Sequence, residues 1–73
     1  MKLYSYSTDG DEFKSYIGDT SRRGTIYDAI ALEGLRDGDR FTLRELDSET
    51  DEVWDDEIDV DEDMMDEFRK HGM

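Results

Sequence analysis

The residues with most chemical capacity in this 73-residue sequence are carboxylates: of the twenty-one positions from 47 to 67, thirteen are Asp or Glu and none is basic. Side chains of this kind can ligate a divalent cation, exchange protons with a substrate, or present negative charge to a cationic surface. The run Asp59-Val60-Asp61-Glu62-Asp63 begins like a calcium loop. It then places Met64 where the loop needs glycine and Lys70 where it needs a bidentate glutamate, so the motif fails twice. Asp9-Gly10-Asp11-Glu12 and Asp37-Gly38-Asp39 have the composition of turns, and no metal or other cofactor is expected. Acid–base catalysis requires a cleft that a domain this small has little room to build, and the single histidine, His71, is expected to fray or to interact with the last carbonyls of a helix. With no cysteine, thiol chemistry and zinc knuckles are excluded. The sequence therefore predicts a protein that is not an enzyme.

The elements that position these carboxylates must come from a modest apolar inventory, 34% of the chain against 42% charged. Disorder has to be weighed at such a ratio, but apolar residues recur at regular spacing along most of the chain, so one small folded domain is expected. No apolar run approaches a membrane span and the first residues lack the apolar region of a signal peptide, which predicts a cytoplasmic protein with no membrane partner. Residues 3–8 and 12–17 are aromatic-rich runs separated by Asp9-Gly10-Asp11, a strong hairpin signal. Residues 18–24 are expected to form a polar loop. Thr25-Ile26-Tyr27-Asp28 fits a relaxed capping box, Ile26, Ala29 and Ile30 share a helical face, and Gly34 suits the helix end, with Leu35 folding back on Ile30. After the Asp37-Gly38-Asp39 turn, Phe41 and Leu43 alternate with Arg40, Thr42 and Arg44 as in a half-buried strand.

The acidic block keeps the same period of two. Trp54, Ile58 and Val60 lie on one face and Asp55, Glu57 and Asp59 on the other, with Asp56 interrupting the apolar side. Pairing Leu46 with Val53 also pairs Arg44 with Asp55, Thr42 with Glu57, Phe41 with Ile58 and Arg40 with Asp59. Apolar then meets apolar and opposite charges meet. Asp61 is the expected cap of a last helix with Glu62 and Asp63 in its first turn, Met64, Met65 and Phe68 on its apolar face, and Gly72 at its close. The expected fold is therefore α+β, in the order β-β-α-β-β-α, with an antiparallel sheet and helices packed on one face.

Charge is unevenly divided along this plan: residues 1–46 carry a net −2 and residues 47–73 a net −11. Alternate carboxylates on a strand stand about 6.7 Å apart, within the range of charge spacings along a nucleic-acid backbone. The candidate contact set is Asp47, Glu49, Asp51 and Glu52 in the loop, Trp54, Asp55, Asp56, Glu57 and Asp59 on the strand, and Glu62, Asp63, Asp66 and Glu67 on the helix. The expected partner is a DNA-binding protein with a basic channel, whose lysines and arginines would meet carboxylates in place of phosphates. Direct binding of nucleic acid by Arg22 and Arg23 is opposed by the net charge of −13. Two other readings of the same residues stand beside this one. The block can be a solvated face whose members only cap and pair, or the surface of a halophilic-type acidic domain with a structural or interaction role, in keeping with fourteen Asp against eight Glu.

Small size, absence of cysteine, an α+β pattern and the carboxylate block of residues 47–67 together resemble the small phage proteins that imitate DNA, among them many anti-CRISPR proteins and inhibitors of restriction enzymes. The resemblance implies a stoichiometric inhibitor of a CRISPR effector complex or a similar enzyme, bound where target DNA would enter. It is a likeness of composition and transfers no individual residue.

Overall fold

A computed structural model describes residues 1–14 and 21–71. Three strands, β1 (Lys2–Ser7), β2 (Arg40–Asp47) and β3 (Glu52–Asp59), form one antiparallel sheet in the order β1-β2-β3. Helix α1 (Arg22–Glu33) connects β1 to β2, and α2 (Glu62–His71) follows β3. The order is β-α-β-β-α, so the expected β-β-α-β-β-α arrangement is corrected.

What overturns the order is the second run, which forms no strand among the described residues. The pairing about Asp9-Gly10-Asp11 is present, since Tyr6 exchanges backbone hydrogen bonds with Lys14 at 3.0 and 2.8 Å. Asp9 organises the turn between them. Its carboxylate accepts the N–H groups of Asp11 and Glu12 at 2.8 and 3.0 Å and the Ser7 hydroxyl at 2.8 Å, while Ser7 Oγ accepts the Gly10 N–H. Those bonds hold the Asp9 carboxyl down at about 2, the Glu12 amide contributing most. Opposite Tyr6, Lys14 shares its face and reaches Glu33 on α1, while Phe13 lies under Arg44 on the other side of the sheet. Among the described residues the expected second strand is reduced to this single bridge; its remainder, from residue 15, lies outside them.

Helix α1 begins earlier than its sequence suggests because Ser21, not Thr25, is the cap, its hydroxyl accepting the Gly24 N–H at 3.0 Å. Thr25 is buried in the first turn and donates its hydroxyl to the Ser21 carbonyl. Gly34 ends the helix at φ 65, a left-handed conformation that an L side chain adopts only with strain; the Leu35 N–H returns to the Ile30 carbonyl, and Leu35 packs back against the core that holds Ile30. Tyr6, Ala29, Ile30, Phe41, Leu43, Ile58 and Val60 form the core. Met64, Met65 and Phe68 of α2 pack against it, and the Phe68 ring lies 5.9 Å from that of Tyr27.

The β2–β3 hairpin has the expected register, from Arg40 with Asp59 to Leu46 with Val53. Its four-residue tip closes with the Asp51 N–H on the Asp47 carbonyl and carries Asp51 at φ 58. Asp61 caps α2 by accepting the Met64 N–H at 2.8 Å, as expected, whereas Gly72 lies outside the described residues.

Candidate functional site

Strand alternation divides the acidic block between two faces of the sheet. Trp54 and Asp56 share the helix-covered face with Tyr4, Glu45, Tyr6 and Leu43; Asp55, Glu57 and Asp59 share the open face with Arg40, Thr42 and Arg44. The open-face carboxylates are exposed, but each meets an arginine of β2. Arg44 holds Asp55 with two parallel bonds, Nε to Oδ1 at 2.8 Å and Nη2 to Oδ2 at 3.0 Å, and its guanidinium carbon sits 3.7 Å from the centre of the Phe13 ring. The hydrogen bond from Arg44 lowers the Asp55 carboxyl below its ordinary 3.8 and in return raises Arg44. Arg40 is shared: its Nε lies 2.6 Å from Asp59 and its Nη1 3.3 Å from Glu57, and both partners raise its pKa, Asp59 more.

Asp56, the residue that interrupts the apolar face, is explained by Arg22. The first residue of α1 reaches across to β3 and sets its Nη2 2.7 Å from Asp56 Oδ2. The sequence contained the signal, since Ser21 is a strong N-cap that would have put Arg22 on the helix, but Thr25 competes with it for that role. Arg22 is thus a structural cation of the acidic block.

The two ends of the block are different. At the hairpin tip Asp47 turns its carboxylate to the Glu49 N–H, Glu49 reaches the N-terminal amine at 3.7 Å, and Asp51 and Glu52 meet no cation among the described residues. Beyond β3, Glu62 and Asp63 occupy the first turn of α2, where the helix dipole favours them; neither makes an ion pair among the described residues, and Glu62 lines a cleft of about 410 Å³ together with Arg36 and Arg69. Further along α2, Asp66 pairs with Arg69 at 3.0 Å, and Glu67 accepts the Tyr27 hydroxyl at 3.5 Å. The length of β3, about 26 Å at 3.3 Å per residue, separates the two ends. The thirteen expected contact residues therefore do not make one uniform array: the strand carboxylates pair with arginines, whereas Asp51, Glu52, Glu62 and Asp63 make no ion pair among the described residues.

Trp54 stands 48% exposed at the sheet margin, beside a cleft of about 260 Å³ lined by Arg22, Leu43, Glu45, Trp54, Asp55 and Asp56. Next to it Tyr4 is held above its ordinary pKa, by burial first and then by a hydrogen bond to Glu45, which also pairs with Lys2 at 3.3 Å. Leu3, Leu46 and Val53 form an apolar row across the open face at the tip end. Among the described residues no three acidic or histidine side chains converge as a metal site, and no helix is long and apolar enough to cross a membrane. No protein-family model, curated protein or solved structure matches this chain, so its reading rests on its own residues.

Proposed function

We propose that this chain acts without catalysis, as an acidic protein ligand that blocks the DNA path of a cytoplasmic DNA-binding protein, foremost a CRISPR effector complex with a basic channel. The observation that carries the reading is the concentration of exposed carboxylates on β3, its hairpin tip and the start of α2, in excess of the three arginines that pair with the strand. Lysines and arginines that normally hold phosphates would meet these groups, and affinity would fall steeply with salt. The pairing on β3 gives the ends the larger share of the unscreened charge.

The test is competition. Purified CRISPR effector complexes and restriction enzymes are titrated with the chain while binding of labelled target duplex is measured. The expected result is displacement of duplex from at least one of them, weakened by salt. Neutralising the tip with E49Q, D51N and E52Q should weaken this more than neutralising the strand with D55N, E57Q and D59N. Failure to displace duplex from any of them at low salt overturns the reading.

A further inference from the structure

Among the described residues the outer edge of β3 has no strand beside it, and its chemistry specifies what can pair with it. The Val60 N–H donates to the Asp39 carbonyl at 2.8 Å, so the backbone of residue 60 turns toward β2. In an antiparallel ladder this direction alternates, which turns residues 52, 54, 56 and 58 toward β2 as well and aims the N–H and C=O groups of Val53, Asp55, Glu57 and Asp59 outward. The other side of the sheet obeys the same alternation: Tyr6 turns away from β2 to bond Lys14, and the Ser48 N–H meets the Met1 carbonyl. Among the described residues no group hydrogen-bonds the outward amides and carbonyls of β3.

Exposed edges are ordinarily blunted by charged side chains, above all lysine, by proline, by a bulge or by short length. Strand β3 has eight residues, none of them Lys or Pro, and runs in unbroken register with β2. Its carboxylates do oppose a second copy of the chain, because like charges would stand directly across from one another. They do not account for Trp54, left half exposed on the same margin above its cleft.

We propose that the β3 edge takes an extended, cationic segment of a partner protein by strand addition. The outward backbone groups belong to Val53, Asp55, Glu57 and Asp59, and three of those four carry carboxylates on the open face. A partner strand with Lys or Arg at every second position would therefore set its cations beside Asp55, Glu57 and Asp59 while its backbone pairs with theirs. Its intervening side chains, on the opposite face, would lie toward Trp54 and the neighbouring cleft. Glu57 is the best placed to gain, because it stands opposite Thr42 and only shares Arg40 with Asp59. This inference rests on the reading of the chain as a ligand for a cationic protein, and it adds backbone pairing to charge.

The experiment uses the intact chain and three blocked heptapeptides alternating lysine with valine: one unmodified, one methylated on the lysine backbone nitrogens, one on the valine nitrogens. Binding is followed by Trp54 emission, and amide exchange is measured in the complex. The expected result is that the unmodified and valine-methylated peptides bind alike and the lysine-methylated one binds at least tenfold more weakly. Exchange should slow at Val53, Asp55, Glu57 and Asp59. Equal binding of all three peptides, without alternate protection, overturns strand addition and leaves attraction by charge intact. No binding of any peptide at low salt overturns both readings, and pairing of β3 with a second copy instead, seen as a dimer, overturns strand addition by a partner.

Discussion

The middle of β3 and its two ends are built from the same side chains and differ in what stands across from them. In the middle, every carboxylate meets an arginine, and those arginines come from the half of the chain that is nearly neutral in sequence: Arg40 and Arg44 on β2, Arg22 on α1. At the hairpin tip and at the start of α2, Asp51, Glu52, Glu62 and Asp63 make no ion pair among the described residues, although Arg36 and Arg69 share a cleft with Glu62. Folding therefore moves charge compensation between the halves, so local sequence acidity overstates the negative potential of the strand and locates it correctly at the ends. A ligand for a cationic surface made this way is most negative where it is least held by the sheet.

The sharpest way to break this comparison is to remove the core under the hairpin. Leu43 is 1% exposed and lies on the helix-covered side, between Tyr6 and Asp56. Leu43→Ala should cost about 2–5 kcal/mol, enough to unfold most of a domain of this size at 37 °C, as a urea melt would show. Binding to a cationic partner should be lost with the fold. Affinity that survived in the unfolded variant would mean that the acidic tract acts as loose charge, and the distinction between middle and ends would have no functional content.

A smaller effect is expected at the one ion pair that ties α1 to β3. Arg22 and Asp56 are both about half exposed, so Arg22→Gln should cost about 0.2–1 kcal/mol by thermal melting, and a double-mutant cycle with Asp56→Asn should recover most of that as coupling. With Asp56 freed, the middle of β3 becomes more like its ends. Affinity for a cationic partner should then rise even as stability falls, and a drop in both would show that Arg22 acts by positioning the strand.

The hairpin is legible in the sequence because two independent patterns agree on one register: apolar alternation and the match of Arg40 and Arg44 with Asp59 and Asp55. Asp61 as a cap and Gly34 as a helix end were equally plain, each resting on local backbone chemistry. The N-terminal third departs from its sequence pattern in two places: the second strand is reduced to the Tyr6–Lys14 bridge among the described residues, and α1 starts at Ser21, whose short hydroxyl takes the capping role read at Thr25. The Asp9 carboxylate gathers the Asp11 and Glu12 amides in the turn, and Phe13 stacks on Arg44 on the open face. The candidate site was legible as a list of residues; which of them are neutralised depended on cations distant in sequence, and for Asp56 on a helix that starts at Ser21, inside a stretch read as a polar loop.

The smallest effect concerns the proton on Asp55. Its carboxyl titrates below its ordinary 3.8 because Arg44 donates two hydrogen bonds to the charged form. Since the folded value is the lower one, the stabilisation from this pair is fully present above the unfolded value and is lost as pH falls through the folded one. Carbon-detected titration of the Asp55 carboxyl should give a midpoint below 3.8, and Arg44→Met should bring it back toward that value while releasing the Phe13 ring. Asp9 provides the control, since its carboxyl is held at about 2 by amides and the Ser7 hydroxyl and should not respond to the loss of Arg44. A shift of Asp9 in the Arg44→Met variant would mean that the stacked Phe13 organises the whole turn, and that the arginines of β2 order the N-terminal loop as well as balancing β3.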